Sequence, residues 1–75
     1  MAGDRKIQRY VDARRDLAKL RRQLQDYPEL SGSRPFLEDL HLATVATATA
    51  LGALNGGQLG RALRLLADGE TRPKG

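Results

Sequence analysis

Hydrophobic and polar positions recur at helical spacing along most of the chain. Between residues 5 and 25 the apolar positions fall on two narrow stripes of an otherwise charged surface, and no glycine or proline interrupts them. Asp4 stands directly before this segment, where an N-cap residue belongs. The pattern predicts a first helix over about 5–25. The main stripe consists of Tyr10, Ala13, Leu17, Leu20 and Leu24, and the second of Ile7, Val11 and Ala18.

A connector and a second helix follow. The segment DYPELSGSRP contains two prolines, a glycine and two serines, which interrupt helices and form turns. Asp26 and Glu29 have the spacing of a capping box, so we predict a single helical turn inside the connector. Ser33 is placed to cap the next helix, and Pro35 is tolerated in its first turn. The second helix is predicted over about 35–54.

The Asn-Gly-Gly sequence that comes next ends the second helix. Asn55 and Gln58 stand three residues apart, the spacing of a reciprocal cap, and open a third helix that we predict over about 57–68. Gly69 is the expected stop, because a glycine after the last helical residue easily adopts the left-handed conformation. The remaining residues, about 70–75, are predicted to form a frayed basic tail.

The segment TVATATA, residues 44–50, is the strongest strand-like pattern in the chain, because Thr and Val favour strands. Its alanines, and the helical patterns on both sides of it, favour a helix instead. We therefore predict an all-α fold, in which the first two helices form an antiparallel hairpin and the short third helix packs on it.

The middle of the chain carries no charge over nineteen consecutive residues, Leu42 to Gly60, although 29% of all residues are charged. A helix without a charged face is normally buried on all sides, and one neighbouring helix covers only one of them. A heptad seam on the second helix is predicted to pack on the first helix. It consists of Leu37, Leu40, Thr44, Thr47, Leu51 and Leu54.

The other sides of the second helix need cover from elsewhere. We predict that Leu59, Leu63 and Leu66 of the third helix cover part of them. A second copy of the chain is predicted to cover the rest, in a homodimeric or higher helical bundle. The predicted oligomer interface consists of Leu42, Val45, Ala46, Thr49, Ala50 and Ala53. The alternative is a monomeric three-helix unit, in which the third helix gives enough cover.

Length and composition strengthen the case for self-association. A chain of 75 residues forms one small domain, 1–75, and buries only about 60% of the surface that it exposes when unfolded. It has no cysteine, which excludes disulfides and thiolate zinc sites, and a single histidine, His41. A partner subunit or tight helix packing remains as the common way to stabilise so small a fold. The lack of cysteine also fits a cytoplasmic location.

A membrane-spanning helix is the competing explanation for an uncharged run. The predominantly apolar part of the run covers about 13 residues, whereas a span needs about 20. The run is also rich in Ala and Thr, and Asn-Gly-Gly interrupts it. No membrane span is predicted, and the N-terminus lacks the apolar region of a signal peptide.

The net charge of +4 and the pI of about 10.1 favour an acidic partner, either an acidic protein surface or nucleic acid. The candidate partner-binding residues are Arg9, Arg14, Arg21, Arg22, Arg61 and Arg64. Arg14 and Arg21 occupy positions where a hairpin helix favours apolar residues. Their alternative role is structural, with Arg21 forming an ion pair with Glu38 or Asp39. The other charges spread around the first helix, as on a solvated face.

Three functional hypotheses remain. The first is a small binding module (a regulator, adaptor or inhibitor) that holds a macromolecular partner through basic surface residues. The second is a DNA-binding regulator, because the segment 48–66 has the outline of a helix-turn-helix with Arg61 and Arg64 on its second helix. Adjacent glycines in the turn, and few Ser, Asn or Gln residues after it, weaken that interpretation. The third is a structural subunit of a larger assembly.

No catalytic pattern accompanies these features. The sequence shows no nucleophile with a base, no phosphate-binding glycine loop and no paired carboxylates, so we predict no enzymatic activity, cofactor or small-molecule substrate. Glu38 and His41 have the Glu-x-x-His spacing of di-iron bundles. The facing part of the first helix, near Leu20 and Leu24, offers no glutamate, and no metal site is expected.

Overall fold

The computed structural model describes the backbone of residues 2–71 and the side chains of residues 4–68. A short 3-10 helix, Pro28–Gly32, lies in the connector. No strand occurs within residues 2–71, and the predicted all-α fold is confirmed. The three α-helices are α1, Ala2–Asp26; α2, Arg34–Gly52; and α3, Gly56–Thr71.

α1 and α2 form an antiparallel hairpin. Near the start of α1, Tyr10 and Val11 share a buried cluster with Ala50, which lies near the end of α2. Further along α1, Leu20 lines the same surface hollow as Ala43, which lies nearer the start of α2. The predicted hairpin is thereby confirmed, and the 3-10 helix contacts both of its helices.

Local caps fix the starts of α2 and α3. The Phe36 N–H donates to the Ser33 hydroxyl oxygen at 3.4 Å, as predicted for the N-cap of α2. At α3 the cap is reciprocal. The Gln58 N–H donates to Asn55 Oδ1 at 2.9 Å, and the Asn55 N–H donates to Gln58 Oε1 at 3.0 Å. Each bond satisfies a backbone donor that the first turn of a helix leaves unpaired, so short-range sequence determines both starts.

The end of α3 differs from the prediction. The helix continues through Gly69 to Thr71, so the predicted stop at Gly69 is wrong. A glycine commonly ends a helix by adopting a positive φ, and none of the described glycines has one. Residues 70 and 71 of the predicted tail therefore belong to α3, and residues 72–75 lie outside the described part of the chain.

The 3-10 helix in the connector forms without the predicted side-chain cap. Tyr27 is its N-cap residue and makes no side-chain cap bond, so the capping box expected from Asp26 and Glu29 is absent. Backbone bonds hold the turn instead. The Tyr27 N–H donates to the Gln23 carbonyl at 2.8 Å, and the Leu30 N–H donates to the Tyr27 carbonyl at 2.9 Å. Main-chain contacts thus tie the connector to the end of α1.

The core is small and lies where the three helices meet. Its largest fully buried side chain is that of Val11. Tyr10 comes from the main apolar stripe of α1, whereas Ile7 and Val11 come from the second, so both stripes contribute. The first half of α1 is therefore held between α2 and α3. The buried cluster consists of Ile7, Tyr10, Val11, Ala50, Ala62 and Leu66, with Leu54 and Leu59 packed against it.

α3 packs mainly on α1 and not on the free side of α2. Leu66 joins Ile7 and Val11 in the core. Leu63, which was expected to cover α2, is 45% exposed. The prediction that Leu59, Leu63 and Leu66 cover the free side of α2 is therefore wrong. The second stripe of α1 offers α3 branched side chains, which give more apolar contact than the alanines of α2.

The buried line of α2 is rotated from the predicted heptad seam. It consists of Ala43, Thr47 and Ala50. The seam residues Leu37 and Leu51 are both exposed, which corresponds to a rotation of about 50° around the helix axis. Alanines on the buried line let α1 approach closely. The Thr47 hydroxyl donates to the Ala43 carbonyl at 2.8 Å, so the buried polar group is satisfied.

The fold is open for a chain of this size. Its radius of gyration is 13.9 Å, whereas a compact chain of 75 residues has one of about 11 Å. Its accessible surface is 5910 Å², against about 4,500 Å² for a folded monomer of 8.2 kDa. The molecule measures 40 × 33 × 16 Å, and one side of α2 has no neighbouring helix. The single chain therefore leaves unusually much surface in water.

Two adjacent leucines of α3 test the position of the core. Leu66→Ala should lower the free energy of unfolding by about 2–5 kcal/mol, because Leu66 is buried. Leu65→Ala is the matched control, and it should lower it by less than about 1 kcal/mol, because that side chain is 44% exposed. Urea denaturation followed by circular dichroism gives both values. Equal losses in the two variants would contradict this placement of α3.

Candidate interaction surface

A groove runs along one side of the α1–α2 hairpin. It is made of two hollows, and Ala46 lines both, so the hollows are continuous. We call this surface the α1–α2 groove. From α1 it is lined by Lys6, Arg9, Ala13, Asp16 and Leu20, and from α2 by Asp39, Leu42, Ala43, Ala46, Thr49, Ala50 and Ala53.

Sequence spacing explains why these residues share one surface. The α1 residues are spaced three, four, three and four apart, which places them on one face of a helix. Most of the α2 residues follow the same rule. The floor of the groove consists of alanines, whose side chains end at Cβ. Small side chains let α1 and α2 approach and leave a shallow, open depression above their contact.

The two ends of the groove have opposite charges. Lys6 and Arg9 line the hollow near the start of α1, and Asp16 and Asp39 line the other hollow. Arg9 and Asp16 are seven residues apart, or about 10 Å along the helix. None of the four takes part in an ion pair among the described residues. The groove therefore has a basic end and an acidic end, both open to a charged partner.

Five of the six residues of the predicted oligomer interface lie exposed on one face of α2. Leu42 is 63% exposed and Val45 is 47% exposed, both high values for branched apolar side chains. The other exposed residues of this face are Ala46, Thr49 and Ala53. We call these five residues the outer stripe. Four of its residues, all but Val45, line the α2 side of the α1–α2 groove, and none of the five carries a charge.

The sixth residue, Ala50, is placed differently. It is only 4% exposed and belongs to the buried cluster with Tyr10 and Val11. Its assignment to an exposed interface is corrected: most of the Ala50 side chain packs inside the single chain, and only its remaining surface lies on the floor of the α1–α2 groove. The sequence did not distinguish the two roles, because an alanine on a helix with uncharged faces fits either side.

The six candidate arginines do not form one patch. Arg9 lies in the α1–α2 groove. Arg14 is half-buried and held by Tyr10, because its guanidinium donates to the Tyr10 hydroxyl at 2.8 Å and lies 5.8 Å from the centre of that ring. Arg21 and Arg22 are exposed further along α1. The alternative role of Arg21, an ion pair with Glu38 or Asp39, is not among the contacts of the described residues.

Arg61 and Arg64 lie in a separate cleft between α1 and α3. Arg61 is 3.8 Å from Asp4, and both side chains are largely exposed, so this ion pair contributes only about 0–1 kcal/mol. Asp68 lines the same cleft. Arg21 lies about 20 Å along α1 from this cleft, counted from Gln8. The candidate arginines are thus spread along α1 and α3, and acids accompany those of α3.

The sequence-based analysis missed two residues of the groove, Lys6 and Asp16. Both are exposed charged residues on a strongly charged helix, so their composition gives no signal. Their spacing from Arg9 and Ala13 does give a signal, because residues 6, 9, 13 and 16 fall on one face of a helix. The sequence does not show which face of α1 lies against α2. That face depends on how the two helices pack.

The described residues form neither a metal-ligand cluster nor a membrane-spanning helix. Among the side chains of residues 4–68, no three His, Asp or Glu groups come together as metal ligands, and this includes the surroundings of Glu38 and His41. None of the helices within residues 2–71 combines the length and the apolarity of a bilayer span.

Fold and surface define a class: a small all-α helical hairpin with a third helix, an uncharged exposed stripe and a groove of opposite charges. Beyond that class, similarity gives no further assignment. Comparison of the chain with protein-family models, curated proteins and solved structures produced no match.

A tyrosine pair tests the structural role of Arg14. Tyr10→Phe should lower the free energy of unfolding by about 0.5–1.5 kcal/mol, because it removes the hydroxyl that accepts from Arg14 but keeps the buried ring. Tyr27→Phe is the control, since Tyr27 is 58% exposed, and it should be nearly neutral. Chemical denaturation measures both. A neutral Tyr10→Phe would show that Arg14 is free for other partners.

Proposed function

We propose that the chain is a small, non-enzymatic helical binding module, a regulator, adaptor or inhibitor. It self-associates through the outer stripe of α2 and holds a macromolecular partner with basic residues that stay outside that contact. The observation that carries the proposal is the outer stripe itself. Leu42 and Val45 stand largely exposed on a helix side that neither α1 nor α3 covers.

Surface area supports self-association. The accessible surface of 5910 Å² exceeds that of a typical folded monomer of this mass by about 1,400 Å². A standard protein interface removes about 800 Å² from each partner. The excess is thus large enough to supply one such interface. Burying Leu42 and Val45 would contribute the hydrophobic part of its free energy.

Charge supports an acidic partner. The chain has a net charge of +4, and Arg21, Arg22, Arg61 and Arg64 are exposed. Of the two partner classes, an acidic protein surface fits better than nucleic acid. Asp68 lines the cleft of Arg61 and Arg64, and Asp4 pairs with Arg61, so the acids interrupt the continuous basic surface that a nucleic-acid backbone requires. The separate carboxylates of a protein can pair with single exposed arginines.

The groove supports a binding role over an enzymatic one. It is shallow, and alanines line its floor. Enzyme and ligand sites are usually enclosed clefts with a few converging polar groups. The charged side chains of the groove sit at its two ends, about 10 Å apart along α1, and do not converge on a common point.

An alanine pair on α2 tests self-association. Sedimentation equilibrium should give the wild type a mass of at least twice 8.2 kDa. Ala46→Glu should reduce it to that of one chain, because the new carboxylate would be buried unpaired in the apolar contact. Ala48→Glu is the control: Ala48 is exposed on the same helix but outside the outer stripe, and this variant should keep the wild-type mass. A wild type with single-chain mass would refute the proposal.

DNA binding is tested directly. Titration of labelled random duplex DNA at ~50 mM salt should show no salt-dependent binding by the wild type. A DNA-binding regulator would bind with an affinity that falls steeply as salt rises, and Arg61→Glu with Arg64→Glu would weaken it. That result would make nucleic acid, and not an acidic protein surface, the partner class. Open-ended growth in light scattering would favour the third hypothesis, a subunit of a larger assembly.

A further inference from the structure

The charges of the α1–α2 groove are arranged in a way that specifies how two copies fit together. Lys6 and Arg9 lie at one end, Asp16 and Asp39 at the other, and Ala46 lines both hollows between them. We infer that two copies stack groove to groove in an antiparallel, two-fold arrangement, with the axis near Ala46. In this arrangement the basic end of each groove meets the acidic end of the other. The inference rests on the proposed self-association and adds its geometry.

Two-fold symmetry allows two ways to stack such a face on itself. An axis parallel to the helices keeps both copies pointing the same way, so the basic end would lie on the basic end. An axis across the helices reverses one copy, so the basic end lies on the acidic end. Like charges across an interface are costly and opposite charges are favourable. Charge therefore selects the antiparallel arrangement.

The same arrangement sets the register. Ala46 lies midway along the α2 side of the groove, between Leu42 and Thr49. With the axis near Ala46, Leu42 of one copy lies over Thr49 of the second copy. On α1, Ala13 lies midway between Arg9 and Asp16, so Arg9 of one copy comes opposite Asp16 of the second. On α1 the two hollows meet between Ala13 and Asp16, so the centre on that helix lies within about one helical turn of the midpoint of Arg9 and Asp16.

The shape of the groove agrees with this register. A two-fold contact requires the same surface to be complementary to itself. Leu42 is the most exposed large apolar side chain of the outer stripe, and the floor of the groove consists of alanines. Leu42 can therefore enter the shallow part of the opposite groove, as a knob enters a hole in packed helices. Ala46 lets the two α2 helices come close at the axis.

Cysteine cross-linking tests orientation and register, because the chain has no cysteine of its own. Under mild oxidation Ala46→Cys should form a disulfide-linked dimer. Leu42→Cys alone should not, because with Leu42 over Thr49 the two copies of residue 42 would be about 10 Å apart, beyond the reach of a disulfide. An equimolar mixture of Leu42→Cys and Thr49→Cys should link the two variants to each other. Ala48→Cys, outside the outer stripe, is the control and should stay unlinked.

Charge exchange tests the pairing of the ends. Lys6→Glu with Arg9→Glu makes both ends acidic, and Asp16→Lys with Asp39→Lys makes both ends basic. Each variant alone should self-associate about tenfold or more weakly than the wild type, and an equimolar mixture should form a mixed dimer. Arg15→Glu with Arg22→Glu is the control: it makes the same charge change as the acidic variant on exposed residues outside the groove.

Two results would overturn the inference while leaving self-association intact. In the first, the wild type forms a dimer, but the Leu42→Cys variant cross-links to itself as readily as the Ala46→Cys variant. That result would indicate a parallel arrangement. The other is self-association that neither charge variant changes. A wild type that sediments as a single chain would remove the proposed function together with its geometry. Circular dichroism confirms that each variant is folded, and all four exchanged charges are exposed.

Discussion

α1 covers one side of α2, and α3 covers α1, so the opposite side of α2, which is uncharged from Leu42 onward, is left in water. Ala43, Thr47 and Ala50 use the available contact with α1. Leu42 and Val45 remain largely exposed. Exposed apolar surface of this kind is unfavourable unless another surface removes it from water. The size of the core, the open shape and the proposed self-association all depend on this constraint.

A small core is the other consequence of the same arrangement. Six residues form the buried cluster, and two of them, Ala50 and Ala62, are alanines with little surface to bury. A chain of this length has a marginal core in any case. Self-association would add a second buried surface at the outer stripe. The charged ends of the α1–α2 groove would then give that contact its direction, since apolar burial alone does not select one.

Features determined by nearby residues were predictable only in part, because the capping box of Asp26 and Glu29 and the helix stop at Gly69 are absent. The caps at Ser33 and Asn55 depend on neighbours three residues away, and both form as expected. Features determined by packing between helices were not. Whether Leu37 or Ala43 faces α1 depends on how closely the helices approach, and the heptad pattern favoured the leucine. α3 could pack on the second stripe of α1 or on the free side of α2, and the sequence shows both apolar surfaces. It does not show that α3 packs on Ile7 and Val11.

Of the interaction surface, the sequence identified the uncharged face but not its charged surroundings. Once the rotated seam places α2 beside Lys6 and Asp16, the opposite charges fall at opposite ends of one groove. The individual arginines were less predictable, because exposure alone does not separate a binding residue from a solvated one. Arg14 illustrates the difficulty: its charge suggests a partner, and its contact with Tyr10 gives it a place in the structure of the single chain.

The most direct test of the central claim is the dependence of thermal unfolding on protein concentration. In the proposed self-association only the assembled chain hides the free side of α2, so folding and association would be linked by mass action. Melts followed by circular dichroism at about 1 µM and about 100 µM should give a midpoint that rises with concentration. A midpoint that stays constant over that range, with a single chain in solution at both ends of it, would show that the uncharged helix is stable in water as it stands.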